Sequence, residues 1–266
     1  MEISDLAKYF ELSENALNYL GKALASAAAG ALIAHIMHIV RKRIPARLSW
    51  GLKEHRTSVF VLATSAKVDT GEYIRYSSGI GQIRAVGILV PGFIRAYKTI
   101  NSSNVLLSEE LPEIYCGRDL IVIGGPKNNK LTEDLLKKMD KLPYTMVGNQ
   151  IINRISNTKI KGVIKNGFVT EDYGLIIKTR NPYNREARCL IIMGTHTYGL
   201  DAAATAFVEN LSKLSYLFVS DYVCLVKASV SGHYVGKPKI LDFRKIKNGD
   251  DETLNLFSAE MDEEAS

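Results

Sequence analysis

The chain has 266 residues, of which 46% are hydrophobic and 23% charged, and these ordinary globular values exclude bulk disorder. Its length suits one large domain, or a medium domain with appendages. The net charge of +6 is spread along the chain, so it fits an anionic ligand or a membrane surface and lacks the clustered basic face of a duplex nucleic-acid binder.

The N-terminal segment, residues 1–44, is predicted to be helical. Residues 3–20 have the spacing of a short amphipathic helix, and residues 23–40 (ALASAAAGALIAHIMHIV) carry no formal charge. A helix over these 18 residues spans about 27 Å, enough to cross a hydrocarbon core. The basic run at 41–43 would hold the C-terminal side in the cytoplasm. A secretory signal peptide fits poorly. In a signal peptide the basic residues precede the apolar run, whereas here they follow it.

Two interpretations of this helix stay open. Ser26, Gly30 and Ala34 place a small residue at every fourth position, which permits close helix packing in a bilayer. Alanine is nearly neutral for insertion, and His35 and His38 add cost, which favours a soluble helix that packs on the domain or on its copies. We therefore expect either a membrane helix, with the rest of the chain cytoplasmic, or an oligomerisation helix of a cytoplasmic protein.

A single main domain is predicted over residues 57–247. The basic, proline-bounded segment before it, residues 45–56, is predicted to be a linker, and the acidic tail after it, residues 248–266, to be mobile. The domain opens with a continuous apolar, β-branched run at 58–66 that is typical of a buried strand. A loop at 68–78 is expected to follow.

The rest of the domain alternates predicted helices and strands. A helix is predicted over 79–100, kinked or split at Pro91, and another over 131–139 with Thr132 as its cap. Strands are predicted near Val105, at 119–123, in antiparallel hairpins within 144–177 (one turn at 165–167), at 188–193 and within 216–243.

A strand, a glycine turn and a helix occur twice in this order, at 120–136 and at 190–211. The strand near Val61 also leads through a loop to a helix. This pattern predicts an α/β fold, an open Rossmann-like mixed sheet with helices on both faces. Ligands of such sheets bind beyond the carboxyl ends of the strands, so the two glycine loops are expected to share one cleft.

The first glycine loop reads GGPKNN, and its candidate ligand-binding residues are Gly124, Gly125, Pro126, Asn128 and Asn129. The glycines allow close backbone approach, Pro126 stiffens the exit, and the asparagines can bond the turn or a ligand. Amides that converge at such a loop bind anions without a basic side chain. The alternative is a loop that only turns the chain.

The second glycine loop reads GTHTYG, and its candidates are Gly194, Thr195, His196, Thr197 and Gly199. The threonines offer hydroxyls and His196 offers an acid or base. Base catalysis needs a positioned partner, and the sequence nominates none, so a solvated histidine is the alternative.

Two further segments supply candidates. Pro182 forces Asn181 into an extended conformation, which projects its side chain. The loop at 68–78 and the glycine after it offer groups that suit a nucleotide: hydroxyls, an aromatic ring, a guanidinium and a flexible backbone amide. The candidates there are Tyr73, Arg75, Ser77, Ser78 and Gly79. The same set suits an ordinary packed Ω-loop.

The acidic and sulfur residues predict no catalytic or metal site. Asp119 and Asp172 precede predicted strands and Asp201 lies in a first helical turn, which are structural positions. The three cysteines, Cys116, Cys189 and Cys224, are an odd number without motif spacing, which indicates thiols in a reducing compartment. No cofactor is predicted beyond a nucleotide ligand.

Four motifs follow one another across residues 119–211: GGPKNN, EDYGLIIK, RNPYN and GTHTYGLDAAA. Their order resembles the Rossmann-like domain of archaeal S-layer proteins and of uncharacterised prokaryotic proteins with a hydrophobic N-terminal helix. The matching positions are Gly124, Gly125, Pro126, Asn129, Gly174, Asn181, Pro182, Gly194, Gly199, Ala202 and Ala203. Leu200 departs from that pattern, which often has threonine there. The resemblance implies a fold and transfers no activity.

Three functions are expected from these features. The first is a prokaryotic sensor or effector, membrane-associated or oligomeric, that binds a nucleotide-type ligand in signalling or defence. The second is an enzyme that processes a nucleotide or nucleotide-sugar at the same cleft. The third is a structural protein of the surface-layer kind, which the basic run after the helix disfavours.

Overall fold

The computed structural model describes residues 3–211, 220–246 and 254–255. The chain divides into two compact units, Met1–Ile44 and Pro45–Ser266. The second unit is a mixed α/β domain built on a mixed sheet.

The first unit is one long helix, α1 (Ile3–His38), followed by a π-helical turn, Ile39–Arg43. The two helices expected at 3–20 and 23–40 are therefore a single element, because Gly21 alone costs too little to end a helix. Side chains at 16–38 are all exposed. Among the described residues, the stretch Ala16–Trp50 is long and apolar enough to cross a membrane, a criterion that signal sequences and core helices of soluble proteins also meet.

The expected linker at 45–56 is wrong, since this segment belongs to the folded domain. Residues Ile44–Trp50 form α2, and Trp50 is completely buried. Its ring packs edge-on against Phe93 at 5.3 Å and Phe207 at 4.8 Å between ring centroids. The chain's single tryptophan anchors this segment, because an aromatic ring of that size contributes a large apolar area to the core.

The main sheet has the strand order β15-β14-β12-β10-β11-β5-β1-β4, with β9 paired to β10 and β13 to β12. Its strands are β1 (Val59–Leu62), β4 (Val105–Leu107), β5 (Leu120–Ile123), β9 (Val163–Lys165), β10 (Phe168–Asn181), β11 (Asn184–Gly194), β12 (Tyr222–Ser231), β13 (Tyr234–Val235), β14 (Lys239–Lys245) and β15 (Leu254–Asn255). Strands β4, β1, β5 and β11 are parallel, and the remaining pairs are antiparallel. The sheet therefore joins a parallel half to an antiparallel half at β11.

The remaining strands form two smaller sheets. A hairpin of β2 (Ala66–Asp69) and β3 (Ile74–Ser77) replaces the loop expected at 68–78. A three-stranded sheet contains β6 (Tyr144–Val147), β7 (Gln150–Asn153) and β8 (Thr158–Ile160). The turn predicted at 165–167 is confirmed, because Asn166 and Gly167 have φ of 52° and 81° between β9 and β10.

The remaining helices are α3 (Ile80–Tyr97), α4 (Lys130–Lys138) and α5 (Thr197–Asn210), with 3-10 turns at Ser102–Asn104 and Glu113–Tyr115. Helix α3 continues through Pro91 and is not split. The predicted cap of α4 is wrong: Asn129 occupies the N-cap, and its side chain accepts from the Thr132 N–H at 3.1 Å.

Two apolar clusters cover the two faces of the sheet. Successive residues of β1 enter different clusters, because neighbouring side chains of a strand point to opposite faces. Phe60 and Leu62 pack with α2, α3 and α5, whereas Val59 and Val61 pack with α4 and the β6–β8 sheet. The continuous apolar runs of β1 and β5 are buried on both faces, as their sequence predicts.

The cysteines are free thiols, with Cys189 and Cys224 buried and Cys116 partly exposed. Burial raises the pKa of the Cys189 and Cys224 thiols well above the ordinary value. Both are inert packing residues, since a thiol reacts as its thiolate. The expected strand content at 216–219 and the expected mobile tail, apart from β15, lie outside the described residues.

Candidate functional site

The two glycine loops lie side by side at one edge of the sheet. Strands β5 and β11 are parallel with Ile123 opposite Ile192, so both strands end at the same edge. The Gly124 N–H donates to the Ile192 carbonyl at 2.9 Å, which joins the first loop to the end of β11. The shared edge predicted from the sequence is confirmed for these two loops.

A polar cavity of about 240 Å³ opens between the loops, and we name it the strand-end cleft. Its lining residues are Gly81, Gln82, Gly124, Gly125, Lys127, Asn128, Gly148, Asn149, Gly194, Thr195, His196, Thr197 and Leu200. Sequence reasoning had nominated Gly124, Gly125, Asn128, Gly194, Thr195, His196 and Thr197 from this set. It missed Gly81, Gln82, Gly148 and Asn149 because the start of α3 and the β6–β7 turn reach the cleft only through the tertiary fold. It also missed Lys127 and Leu200, which lie within or directly after the two nominated loops.

The first loop needs its glycines for packing. Gly124 has φ of +112°, and a Cβ there would lie 2.7 Å from the Cβ of Ala63. A Cβ on Gly125 would lie 2.9 Å from the Met146 sulfur. These glycines therefore have a structural explanation, and the surrounding polar groups are what favour a ligand.

Asp172 organises the second loop, and sequence reasoning misread it. It lies inside β10, where its carboxylate is completely buried. One oxygen accepts from the Thr195 hydroxyl and the other from the Gly199 N–H at 2.5 Å. The Asp172 contacts cross more than twenty residues of chain, so no local motif could reveal them.

This carboxylate substitutes for a helix cap. His196 occupies the N-cap of α5, but its side chain makes no capping hydrogen bond. The Gly199 N–H, in the first turn of α5, is satisfied by Asp172 instead. A negative charge at a helix N-terminus is favourable, so Asp172 stabilises both the loop and the helix start.

His196 lies between the buried carboxylate and the cleft. Its Nδ1 is 3.3 Å from Oδ1 of Asp172, and its side chain is 27% exposed. A Cβ on Gly162 would lie 2.5 Å from the same Nδ1, so only glycine there leaves room for the imidazole ring. The ring is thus held by its neighbours while it lines the cleft.

A second buried acid, Asp201, lies in the first part of α5 and is 4% exposed. Burial raises its pKa to about 6. Arg84, whose Nε is 3.5 Å away, lowers that pKa, and the charge of Asp172 raises it. Within the part of the chain that the structure describes, its Oδ1 has no hydrogen-bond partner.

Asn181 does not belong to the cleft, and its prediction as a ligand residue is wrong. It forms the turn between β10 and β11, opposite Asn184, at the sheet edge away from the cleft. Its Nδ2 donates to the carbonyls of Cys116 at 2.7 Å and Arg118 at 2.8 Å. A buried amide with these partners holds a loop.

Asn129 and Gly199 also have structural roles in place of the predicted ligand contacts. Asn129 is 1% exposed, caps α4 and donates to the Ile123 carbonyl at 3.3 Å. Gly199 is buried inside α5, where a Cβ would collide with the backbone of Tyr173.

The candidates before α3 are dispersed. Tyr73 and Arg75 are exposed on the β2–β3 hairpin, and Ser77 ends that hairpin. Ser78 donates its hydroxyl to the Ala63 carbonyl at 3.1 Å, and Gly79 is the N-cap of α3. None of these five residues lines the strand-end cleft.

A larger groove of about 530 Å³ adjoins the cleft, and we name it the lysine groove. Its lining residues are Thr64, Ser65, Ala66, Lys67, Tyr76, Glu109, Pro126, Lys127, Asn128, Asn129, Lys130 and Glu133. Lys127 and Asn128 line both cavities, so the GGPKNN loop separates them. Pro126, another predicted site residue, therefore faces the groove and not the cleft.

No protein-family model matches the chain, and no curated protein matches it. Across the described residues, no group of three or more histidine, cysteine, aspartate or glutamate side chains is placed to hold a metal ion.

Proposed function

We propose that this protein is a prokaryotic sensor or effector whose Rossmann-like domain binds a nucleotide-type anionic ligand in the strand-end cleft. The observation that carries the proposal is the convergence of the two glycine loops on one polar cavity at the carboxyl ends of parallel strands. Open α/β sheets bind their ligands at this edge.

The N-terminus of α3 favours an anion in the cleft, because no side chain caps it. Gly81, near the start of α3, lies against Thr197, the first residue of α5, and a Cβ on Gly81 would be 2.8 Å from the Thr197 methyl group. The N-terminus of a helix carries a partial positive charge. Lys127 adds a full charge at the same cavity.

The lysine groove supports a ligand larger than a lone phosphate. It continues from the cleft across Lys127 and Asn128 and offers the ring of Tyr76, with the Lys67 amine 5.6 Å from the ring centroid. An aromatic face beside ammonium groups suits a nucleobase and its phosphates. We propose that the phosphates occupy the cleft and the base extends into the groove.

The N-terminal helix supports attachment to a membrane or to further copies of the chain. Its apolar side chains are widely exposed, for example Leu24 at 63%, Leu32 at 60% and Ile33 at 61%. Such a surface needs a cover of lipid or of protein. With the basic run at 41–43, we propose a membrane helix with the α/β domain in the cytoplasm.

We propose the role in signalling or defence by analogy, since a ligand-binding domain coupled to a membrane or oligomerisation helix suits such proteins. The resemblance to the Rossmann-like domain of archaeal S-layer proteins concerns the α/β part alone. If the whole protein were only structural, the polar cavity and the Lys127 charge that lines it would have no explanation.

A thermal-shift screen of the full chain tests ligand binding. ATP, GTP, NAD⁺, cyclic dinucleotides and inorganic phosphate are the probes. A nucleotide at a hundred times its Kd should raise the Tm by roughly 5–10 °C, because it adds about 2.7 kcal/mol to the native state.

Variants assign that shift to the cleft. Lys127→Ala should reduce it without changing the Tm of the free protein, because Lys127 is exposed. Lys165→Ala, an exposed lysine in the β9–β10 turn, is the matched control and should leave the shift unchanged. A folded protein whose Tm responds to no nucleotide contradicts the proposal.

A further inference from the structure

His196 has the environment of an oriented base. Its Nδ1 lies 3.3 Å from Oδ1 of Asp172, a completely buried carboxylate. That carboxylate is itself fixed by the Thr195 hydroxyl and the Gly199 N–H. A carboxylate next to Nδ1 keeps the proton of the neutral ring on that nitrogen, which leaves the lone pair on Nε2.

The base lies at the cavity that the proposed ligand occupies. His196 lines the strand-end cleft, and the glycine at 162 leaves space for its ring. Asp172 has structural partners of its own, so its contact with the imidazole is an addition to the capping role. A histidine partnered in this way meets the requirement for base catalysis that the sequence alone left unmet.

The lining restricts the reaction that such a base can support. Among the described cleft-lining residues, Lys127 and His196 are the two with ionisable side chains. In a displacement at phosphorus the attacking water and the leaving oxygen lie in line on opposite sides. His196 therefore cannot activate the water and also protonate the leaving oxygen. With Lys127 assigned to stabilising the phosphate charge, the leaving group departs as an anion, which suits a phosphate and not a sugar alkoxide.

We infer that the strand-end cleft hydrolyses a phosphoanhydride bond of a nucleoside di- or triphosphate, with His196 as the general base and Asp172 as its positioning residue. This inference rests on the proposed nucleotide binding and goes beyond it, because the ligand is consumed.

The step balances without a further reactant. Nε2 of His196 takes one proton from water while the water oxygen forms a new bond to phosphorus. The bond from phosphorus to the bridging oxygen breaks, and its electron pair leaves with that oxygen, which becomes a phosphate oxygen of the departing nucleotide, phosphate or pyrophosphate. The protonated imidazole then returns its proton to solvent. Lys127 and the start of α3 stabilise the charge that develops on the phosphate oxygens.

The full chain is tested with ATP and GTP as their magnesium complexes, with products separated by chromatography and the reaction run in ¹⁸O-water. Release of phosphate or pyrophosphate that contains ¹⁸O, or of a nucleotide that contains it, is expected. His196→Gln should lower kcat by about 10²- to 10⁴-fold, the usual contribution of a general base, and should keep the nucleotide thermal shift.

His233→Gln is the matched control, because His233 is exposed and does not line the cleft. It should leave kcat unchanged. Asp172→Asn should lower kcat and alter its pH profile, which a merely structural role would not do. His196→Asn serves as a second variant if His196→Gln does not fold.

The outcomes separate the inference from the proposed function. A nucleotide thermal shift without turnover overturns the inference and leaves the binding function standing. The absence of both overturns both. Turnover that His196→Gln leaves intact, or release of a free base instead of phosphate products, overturns the role of His196.

Discussion

The Asp172 carboxylate joins three parts of one loop, and that role depends on its position opposite the end of β11. Thr195 and Gly199 donate to it, and His196 lies against it. From the sequence it could be read only as a residue before a strand, since its partners are distant along the chain. The sequence alone favoured a solvated loop histidine, whereas the structure places His196 against the buried Asp172 carboxylate.

A second prediction at the residue scale concerns how the stability of the protein depends on pH through Asp201. Its pKa is raised from 3.8 to about 6, chiefly by burial. The folded state therefore holds this proton more tightly than the unfolded state, so its contribution to stability is complete below about pH 4 and is lost as the pH rises through about 6. Asp201→Asn removes this loss, because the amide does not ionise.

We expect the Tm of wild type, relative to that of Asp201→Asn, to fall between about pH 4 and pH 7.5. Thermal unfolding of both proteins across this range measures it. Glu171→Gln is the control, since Glu171 is more than a third exposed beside Lys227 and should give nearly parallel curves. Parallel curves for Asp201→Asn would show that its carboxyl is not perturbed.

At the scale of elements, the two neighbouring asparagines of the GGPKNN loop have different roles, one in holding the fold and one in the proposed ligand binding. Asn129 is buried, caps α4 and holds the end of β5. Asn128 is exposed and lines both the cleft and the lysine groove. The sequence nominated both as ligand residues, because an asparagine that caps a helix and one that faces a ligand look the same in one dimension.

The two residues should therefore differ under the same substitution. Asn129→Ala should lower the free energy of unfolding by about 1–2 kcal/mol, the usual cost of a lost cap. Asn128→Ala should change it by less than about 0.5 kcal/mol while weakening the nucleotide thermal shift. Urea unfolding and the shift assay measure the two effects. If Asn128→Ala is the destabilising variant, the assignment of the loop is wrong.

At the scale of the whole molecule, a helix with an exposed apolar surface accompanies a domain with a polar cavity. Residues 16–38 of α1 are all exposed, and the stretch Ala16–Trp50 has the length and composition of a membrane span. Lipid and a second copy of the chain are the two covers that suit this surface. Fractionation distinguishes them without knowledge of the ligand.

We expect the full chain to sediment with membranes and to resist alkaline carbonate extraction. Leu32→Lys combined with Ile33→Lys should shift it to the soluble fraction, because each lysine at mid-membrane costs about 2.5–3.5 kcal/mol. Lys42→Arg keeps the charge and is the control. A soluble wild-type oligomer would favour the oligomerisation helix, and a soluble monomer would contradict both forms of the proposal.

The sequence by itself determined the elements whose signal is local. The buried runs of β1 and β5, the 165–167 turn and the helices after the two glycine loops follow from apolar periodicity and turn chemistry. Their order along the chain also placed both loops at one sheet edge, because the carboxyl ends of parallel strands coincide.

Only the tertiary structure decided which side chains meet. It placed Asn181 at the opposite edge, buried Trp50 in a segment that resembled a linker, and brought Asp172 to His196. The physical reason is that strand register and packing set contacts between residues far apart in the chain, and no local pattern contains them. The GGPKNN residues that suggested a phosphate loop thus form one wall of the strand-end cleft, and the inferred base, His196, comes from the second glycine loop.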